Sequence, residues 1–151
     1  MKRILLILVT VLFLTGCDSN DLVPTQPSQL LHTWKLVSFG NKSNNSIITE
    51  TNFTNAKEIT ITFKDGNNFE GTTNTNNFWG TFSSDERPNL LTLNGIVSTE
   101  VNEHGWGEMF YDSLQFGFIK QTSNYQYTYE IENDILKIHF TNQQFMTFEK
   151  L

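Results

Sequence analysis

Strict alternation of apolar and polar residues constrains the fold of this chain more than any other feature. The stretch EITITF places Ile59, Ile61 and Phe63 on one side of an extended backbone and Thr60 and Thr62 on the other. A period of about two residues is that of a half-buried strand, whereas an amphipathic helix has a period of about 3.6. The stretch YQYTYEIE repeats the alternation near the end of the chain. Both stretches predict a sheet with one apolar face.

Eight short segments of this kind are separated by polar connections. The connection KDGN fits a hairpin turn in which Gly66 accepts a positive φ, and END (Glu132–Asp134) is a second predicted turn. Few helix formers and many threonine and aromatic residues, including 13 phenylalanines, also favour a sheet. The predicted strands are TWKLVSFG (Thr33–Gly40), EITITF, NFEGTT, NFWGTFSS, LLTLNGIVST, YQYTYEIE, ILKIHF and FMTFEK.

The sequence also predicts three details of the strands and their connections. In the first strand, alternation puts Trp34 and Leu36 on one face and Phe39 on the other. The polar stretch NKSNNSIITETNFTN that follows is predicted to be a long loop. In the fifth strand, the pair Asn94-Gly95 predicts a bend.

One segment has a helical period instead. In HGWGEMFYDSLQF the apolar residues Trp106, Met109, Phe110 and Leu114 recur at spacings of three and four, which predicts an amphipathic helix over Trp106–Phe116. The predicted fold class is therefore mainly β (α+β). It is a single antiparallel sheet of about eight strands, curled into a barrel or half-barrel, with one helix between strands five and six.

The start of the chain is predicted to be a cleavable leader. Lys2 and Arg3 precede an apolar run of about 11 residues, Ile4–Leu14, which suits a signal peptide and is well short of the roughly 20 residues that span a bilayer. The run ends in Leu-Thr-Gly-Cys17, which resembles the lipobox of bacterial lipoproteins. That resemblance implies a diacylglyceryl group on the Cys17 thiol, cleavage before Cys17, and often acylation of its amine, for example with palmitate. The alternative is a secreted protein that is cut near Gly16 and keeps a free thiol.

The predicted organisation has three parts: a lipoprotein signal peptide at 1–16, a lipidated cysteine and flexible tether at 17–30, and a single domain at 31–151. The tether is polar, and about 14 extended residues reach at most roughly 45 Å. Two acyl chains suffice for stable anchoring. We therefore expect the protein in the cell envelope, anchored by lipid to the inner or outer membrane, with its domain outside the cytoplasm.

The charge of the chain excludes one class of partner. The formal net charge is −6, and it becomes −8 when Lys2 and Arg3 leave with the leader. Nucleic-acid binding requires clustered Lys and Arg side chains, so no nucleic-acid partner is expected. Anionic headgroups should also repel the domain, so its predicted membrane contact is the lipid on Cys17.

No motif for catalysis, for a cofactor or for a metal is recognisable in the sequence. The chain has three histidines, one cysteine, no nucleophile elbow and no glycine-rich phosphate loop. Glu100, Glu103, His104 and Glu108 come nearest to a metal cluster, but their spacing matches no zinc or calcium motif, and a solvated acidic loop is favoured. We therefore predict that the protein is not an enzyme and holds neither metal nor cofactor.

The stretch FEGTTNTNNFWGTFSS contains the remaining candidate site. Small polar residues surround an aromatic pair, and Asn74, Asn76, Asn77 and Trp79 are the candidate residues. One interpretation is a tight strand connection whose asparagine side chains bond to backbone groups. The other is a loop that faces a ligand beside an aromatic ring. The first interpretation is favoured.

Five short elements, taken in chain order, resemble a known family. They are Trp34-Lys35-Leu36, Asn76–Phe82, Ser98-Thr99-Glu100, Phe110–Leu114, and Tyr129–Ile131 followed by Leu136–Ile138. Their order is similar to that of the META, or HslJ-like, domain of bacterial lipoproteins and envelope proteins, and the resemblance extends over roughly Leu31 to Leu151. Many members have cysteines in the second element and after the third, where this chain has none.

The resemblance implies a β-rich envelope protein without an established enzymatic activity or catalytic residues. It therefore favours a membrane-anchored, non-catalytic interaction or envelope-stress-support module, whose partner would be another envelope protein. The opening strand also resembles that of lipocalin-like small barrels. This second resemblance gives the alternative function, a carrier of a small apolar ligand in an aromatic-lined cavity.

Overall fold

The computed structural model describes residues 29–85 and 89–151, and ten strands and one α-helix lie within them. The helix, α1, is Trp106–Gln115, and a short 3₁₀ helix spans Glu50–Asn52. The strands are β1 (Thr33–Asn41), β2 (Ser46–Thr49), β3 (Thr60–Lys64), β4 (Asn68–Thr72), β5 (Asn77–Asp85), β6 (Leu90–Ser98), β7 (Phe118–Ile119), β8 (Asn124–Glu132), β9 (Ile135–His139) and β10 (Gln144–Lys150).

The strands form one antiparallel sheet that closes into a ring. The order is β10-β9-β8-β6-β5-β4-β3-β1, and β1 also pairs with β10, from Trp34↔Lys150 to Asn41↔Gln144. The outlying strands β2 and β7 pair with β1 and β8. β1 has two neighbours along one edge, β3 at its start and β2 at its end, so the ring departs from a regular barrel. This topology, with α1 after β6, confirms the predicted fold class.

The inside of the ring is an apolar core that the alternating residues build. Aromatic rings interlock there: the Phe63 and Phe82 rings, for example, are 4.8 Å apart. Edge-to-face packing of this kind adds stability beyond the area that it buries. The largest fully buried side chains are Trp34, Trp106, Phe63, Phe69, Phe78, Phe82, Phe110, Phe148, Leu30, Leu36, Ile59 and Leu91.

The ring has two ends that differ in construction. At one, which we call the turn end, β3 leads to β4 through 65–67, β8 leads to β9 through Asn133-Asp134, and the described chain begins beside the start of β1. At the other, the helix end, lie the connections 73–76 and 99–123, and the second of these contains α1. The predicted turns are confirmed at the turn end, where Gly66 has a φ of 76°.

Helix α1 covers the helix end with its apolar stripe. Trp106, Phe110 and Leu114 are buried, which confirms the predicted core-facing side of the helix. The Phe110 ring lies 5.3 Å from the ring of Phe78 on β5. On β8, the Tyr127 hydroxyl donates a hydrogen bond of 2.7 Å to the Leu114 carbonyl and so ties the end of α1 to the sheet.

Two sequence predictions about β1 and the stretch that follows it are wrong. Phe39 is 4% exposed and faces the core with Leu36, because a bulge between Leu36 and Ser38 adds one residue and reverses the alternation beyond it. The stretch predicted to be a long loop contains strand β2, which pairs with β1 from Ser38↔Thr49 to Asn41↔Ser46. The many asparagines and serines around this short strand are typical of turns, so the composition of the stretch predicts a loop.

Part of the predicted organisation lies outside the described residues. The signal peptide 1–16, Cys17 and the tether as far as residue 28 fall there. Leu30, the last residue assigned to the tether, is fully buried, and its carbonyl accepts a hydrogen bond of 2.9 Å from the Trp34 indole N–H. In the described part of the chain, no helix combines the length and apolarity needed to cross a bilayer.

Candidate functional site

A buried asparagine organises the helix end. Asn76 ends the β4–β5 connection and is only 4% exposed. Its Oδ1 accepts hydrogen bonds from the Thr99 hydroxyl at 2.8 Å and the Val101 N–H at 2.9 Å. Its Nδ2 donates to the Val101 carbonyl at 2.6 Å and to Glu103 Oε1 at 2.9 Å. The side-chain amide therefore pairs with the segment after β6 much as a neighbouring strand would.

A half-buried carboxylate completes this arrangement. Glu103 Oε1 also accepts hydrogen bonds from the Thr73 hydroxyl and from the N–H groups of Thr75 and Asn76, both at 3.2 Å. Glu103 Oε2 packs against Gly107 in the first turn of α1, where a Cβ atom would collide with it. A negative charge at the start of a helix interacts favourably with the helix dipole. We call these contacts the Asn76–Glu103 network.

The pKa shifts of Glu103 and of Tyr111, whose pKa responds to the Glu103 charge, favour a structural role for the network. Burial acts to raise the pKa of Glu103, but hydrogen bonds from Thr73, Asn76 and Thr75 outweigh it and hold the pKa below its ordinary value of 4.5. Burial, aided by the negative charge of Glu103, holds the pKa of Tyr111 above its ordinary 10.0. General acid–base catalysis needs a pKa near the working pH, and both groups are shifted away from neutrality.

Two of the four candidate residues of the asparagine-rich loop hydrogen-bond to other segments of the helix end, and the other two are exposed on β5. Half-buried Asn74 accepts a hydrogen bond from the Lys57 N–H at 2.9 Å and donates one to the His104 carbonyl at 3.3 Å. Asn77 is exposed at the start of β5. Trp79 is 46% exposed on the outer face, opposite Val97. Asn74 and Asn76 thus bond to backbone groups, as the favoured interpretation expects.

The prediction of a solvated acidic loop is correct for Glu100 and His104, which are exposed in the connection after β6. Glu108 is also exposed but lies in the first turn of α1, and Glu103 is half-buried in the network. Glu103 is drawn inward because loop 73–76 offers it several hydrogen-bond donors. Within 29–85 and 89–151, no three His, Cys, Asp or Glu side chains gather closely enough to hold a metal ion. Cys17 lies outside these ranges.

An open cleft lies beside the network, and we call it the rim cleft. Its volume is about 380 Å³, and residues of three chain segments line it: Phe53, Thr54, Asn55 and Lys57 in the first, Asn74 and Thr75 in the second, and Asn102, His104 and Gly105 in the third. The Asn74 bonds to Lys57 and His104 connect these segments, and the Thr75 hydroxyl donates to the Asn102 carbonyl at 3.4 Å. The walls of the cleft are therefore held in place before any ligand arrives.

The sequence pointed to Asn76, but it placed Glu103 only in a solvated acidic loop and gave no sign of Phe53 or Lys57. Glu103 is 30 positions from Thr73 in sequence. Phe53 belongs to the stretch predicted to be a long loop, and Lys57 lies just after that stretch. One signal was available: Gly105 and Gly107 flank Trp106 at the start of the predicted helix, which indicates a close approach of another group. The identity of that group required the structure.

Comparison with known proteins supports the fold. No protein-family model matches the sequence, and no curated protein matches it. An NMR structure of a protein from Burkholderia xenovorans is similar, with a TM-score of 0.56 and 15% identity over 82% of this chain and 85% of that one. A DUF4847 family protein from Bacteroides vulgatus is similar, with a TM-score of 0.55 and 16% identity over 81% and 94% of the two chains. At such identities the likeness concerns the fold alone.

Proposed function

We propose that this protein is a lipid-anchored bacterial envelope protein whose domain is a non-catalytic interaction module. The observation that carries the proposal is that the two ends of the ring differ. The described chain enters the domain at the turn end, beside Leu30, while the longest connection and α1 lie at the opposite end. An anchor that precedes Leu30 leaves the helix end free to meet a partner.

The anchor itself is Cys17. The Leu-Thr-Gly-Cys sequence after an apolar run of about 11 residues supports lipidation there. A mature chain with a net charge of −8 gains little from anionic headgroups, so acyl chains are needed to hold it at the membrane.

A binding role is supported by what the polar groups of the helix end do. The side chains of Asn76 and Glu103 hydrogen-bond to the connections 73–76 and 99–123 and hold them together. The hydrogen bonds that Glu103 accepts also hold its pKa below its ordinary value. Such groups build a rigid surface and are poorly suited to proton transfer at neutral pH. The resemblance to the META, or HslJ-like, domain agrees with this role.

The interior favours an interaction module over a carrier of apolar ligands. The aromatic side chains that would line a carrier's cavity pack on one another instead, as the 4.8 Å between the Phe63 and Phe82 rings illustrates. Carriage would require these rings to separate, and each buried aromatic contributes several kcal/mol to the folded state, about 3–5 on truncation.

Cys17→Ser in the full-length chain tests the anchor. Mass spectrometry of the mature amino terminus should find a lipid-modified Cys17 as the first residue of the wild type, in the membrane fraction. The variant should accumulate as an uncleaved or mislocalised precursor. Ser19→Ala, which removes a hydroxyl two positions away, is the matched control and should be processed normally. An unmodified amino terminus at another residue would reject the lipoprotein.

A further inference from the structure

The rim cleft has an aromatic wall that is held rigidly. Phe53 is half-buried, and its ring lies 5.6 Å from the ring of fully buried Trp106. A Cβ atom on Gly105 would lie 3.1 Å from Phe53 Cδ1, so the Gly105 backbone approaches that ring atom closely. A fixed aromatic face in an open cleft offers apolar contact to a flat, C–H-rich face of a ligand.

The same cleft presents free polar groups. Asn55 and Asn102 line it and are exposed, and their side-chain amides make no hydrogen bond to another residue of the described chain. Each amide offers both donors and an acceptor. The neighbouring Asn74 is occupied in holding the walls, so the free amides stand on a rigid base. The cleft can therefore hydrogen-bond a ligand rich in hydroxyl groups.

The cleft carries a positive charge in a chain whose net charge is negative. Lys57 supplies that charge, and none of the residues that line the cleft is Asp or Glu. Among the described residues Lys57 forms no ion pair, whereas the lysines that pair with carboxylates do so elsewhere, as Lys64 does with Glu70 at 2.6 Å. The nearby Glu103 carboxylate is turned into the network. In a chain of net charge −6, such a cleft favours a negatively charged ligand.

From these three properties we infer that the rim cleft binds an anionic saccharide. The apolar face of a sugar ring lies against Phe53, hydroxyl groups bond to Asn55 and Asn102, and a carboxylate lies near Lys57 and His104. A volume of about 380 Å³ is in the range of small-ligand sites and accommodates one or two sugar rings. The inference rests on the proposed interaction role and gives it a ligand class. Anchoring and sugar binding have separate readouts, so either can fail alone.

Calorimetric titration of the full-length mature protein in detergent micelles tests the inference. The probes are digalacturonate, the uncharged galactobiose of matching size, and citrate, which has charge without a sugar ring. We expect saturable binding of digalacturonate, with galactobiose and citrate each at least about tenfold weaker because each lacks one set of contacts. Added salt should weaken the digalacturonate complex.

Variants locate the site. Lys57→Gln should weaken digalacturonate by about tenfold and leave galactobiose unchanged, because a charge-assisted contact is lost. Asn102→Ala should weaken both sugars by about threefold to tenfold, since its carbonyl still serves Thr75 while its amide is gone. The matched control is Lys120→Gln, which removes an exposed lysine outside the cleft and should leave both affinities unchanged.

Several results would overturn the inference. Absence of saturable digalacturonate binding would reject the site. Equal affinity for digalacturonate and citrate would show a simple anion site without sugar recognition, and equal losses in Lys57→Gln and Lys120→Gln would show general charge attraction. A lipidated Cys17 together with any of these results would leave the anchor standing and remove the ligand class.

Discussion

The two ends of the ring are stabilised by different means. At the turn end, the chain reverses through short turns in which Gly66, Asn67, Asn133 and Asp134 adopt left-handed backbone angles, so the geometry is set locally. At the helix end, the segment 99–123 is held by side chains from far along the chain. The turn end should therefore tolerate most single substitutions, whereas the stability of the helix end depends on a few residues.

The largest effect is expected where α1 joins the core. Phe110→Ala should lower the free energy of unfolding by about 3–5 kcal/mol, since a buried aromatic is lost and a cavity remains. That is a large part of the roughly 5–15 kcal/mol that stabilises a domain of this size. Urea denaturation measures the loss. Phe116→Ala is the control, since Phe116 is 62% exposed, and it should cost no more than about 0.5 kcal/mol. Equal losses would mean that the stripe does not hold the helix.

The next effect concerns Asn76, the buried asparagine that organises the helix end. Asn76→Ala should cost about 2–3 kcal/mol, because Val101 and Glu103 lose a partner in a site that is shielded from water. The exposed neighbour Asn77→Ala should change stability by no more than about 0.5 kcal/mol. Denaturation of both variants in one buffer makes the comparison. A loss below that of Asn77→Ala would show that the Asn76 side chain does not hold the helix end.

A smaller, pH-dependent effect should come from Glu103. Because its pKa is lowered in the folded state, the unfolded chain takes up the proton first on acidification. The stabilisation is thus fully present above the unfolded value and is lost as the pH falls through the folded one. Glu103→Gln should cost about 1 kcal/mol near pH 7 and approach the wild type at low pH. Denaturation curves from about pH 7 to about pH 3 test this.

The control for that series is Glu100→Gln, since Glu100 is exposed and outside the network. Its stability should follow the wild type across the pH range. If the gap between Glu103→Gln and the wild type stays constant down to the lowest pH, the charge of Glu103 is not what stabilises the helix end.

The smallest effect is expected at the turn end, and it is a gain. Asp134 has a φ of 62°, so Asp134→Gly should stabilise the domain by about 0.5 kcal/mol. The ion pair that is lost, Asp134–Lys150 at 3.4 Å, is largely exposed and contributes little. Asp134→Ala, which keeps the strain of a Cβ atom, should give no gain. A destabilised glycine variant would show that the ion pair outweighs the backbone.

The turn end could be predicted from the sequence because its signals are local. Alternation around Ile61 and the turn residue Gly66 lie within a few positions of the features that they specify. The buried stripe of α1 is local in the same way. The bulge beside Val37 could not be seen, since one inserted residue leaves the alternation intact on either side while reversing its faces.

The helix end could be predicted only in outline. The asparagine-rich loop stood out by composition, and its favoured interpretation anticipated backbone bonds of the kind that Asn74 and Asn76 make. Nothing local links Thr73 to Glu103, however, because the fold alone brings these positions together. Long-range polar contacts between loops leave no period in a sequence, and the META-like resemblance and the lipidation of Cys17 remain predictions.

Amide hydrogen exchange on the wild type and Asn76→Ala tests most directly whether a few long-range contacts hold the helix end while local turns hold the other. We predict that the Val101 amide, which donates to Asn76 Oδ1, and its neighbours in 99–105 lose protection in the variant. Amides around 65–67 and 133–134 should then keep their relative protection. Loss of protection by the same factor at both ends, or none at 99–105, would contradict this prediction.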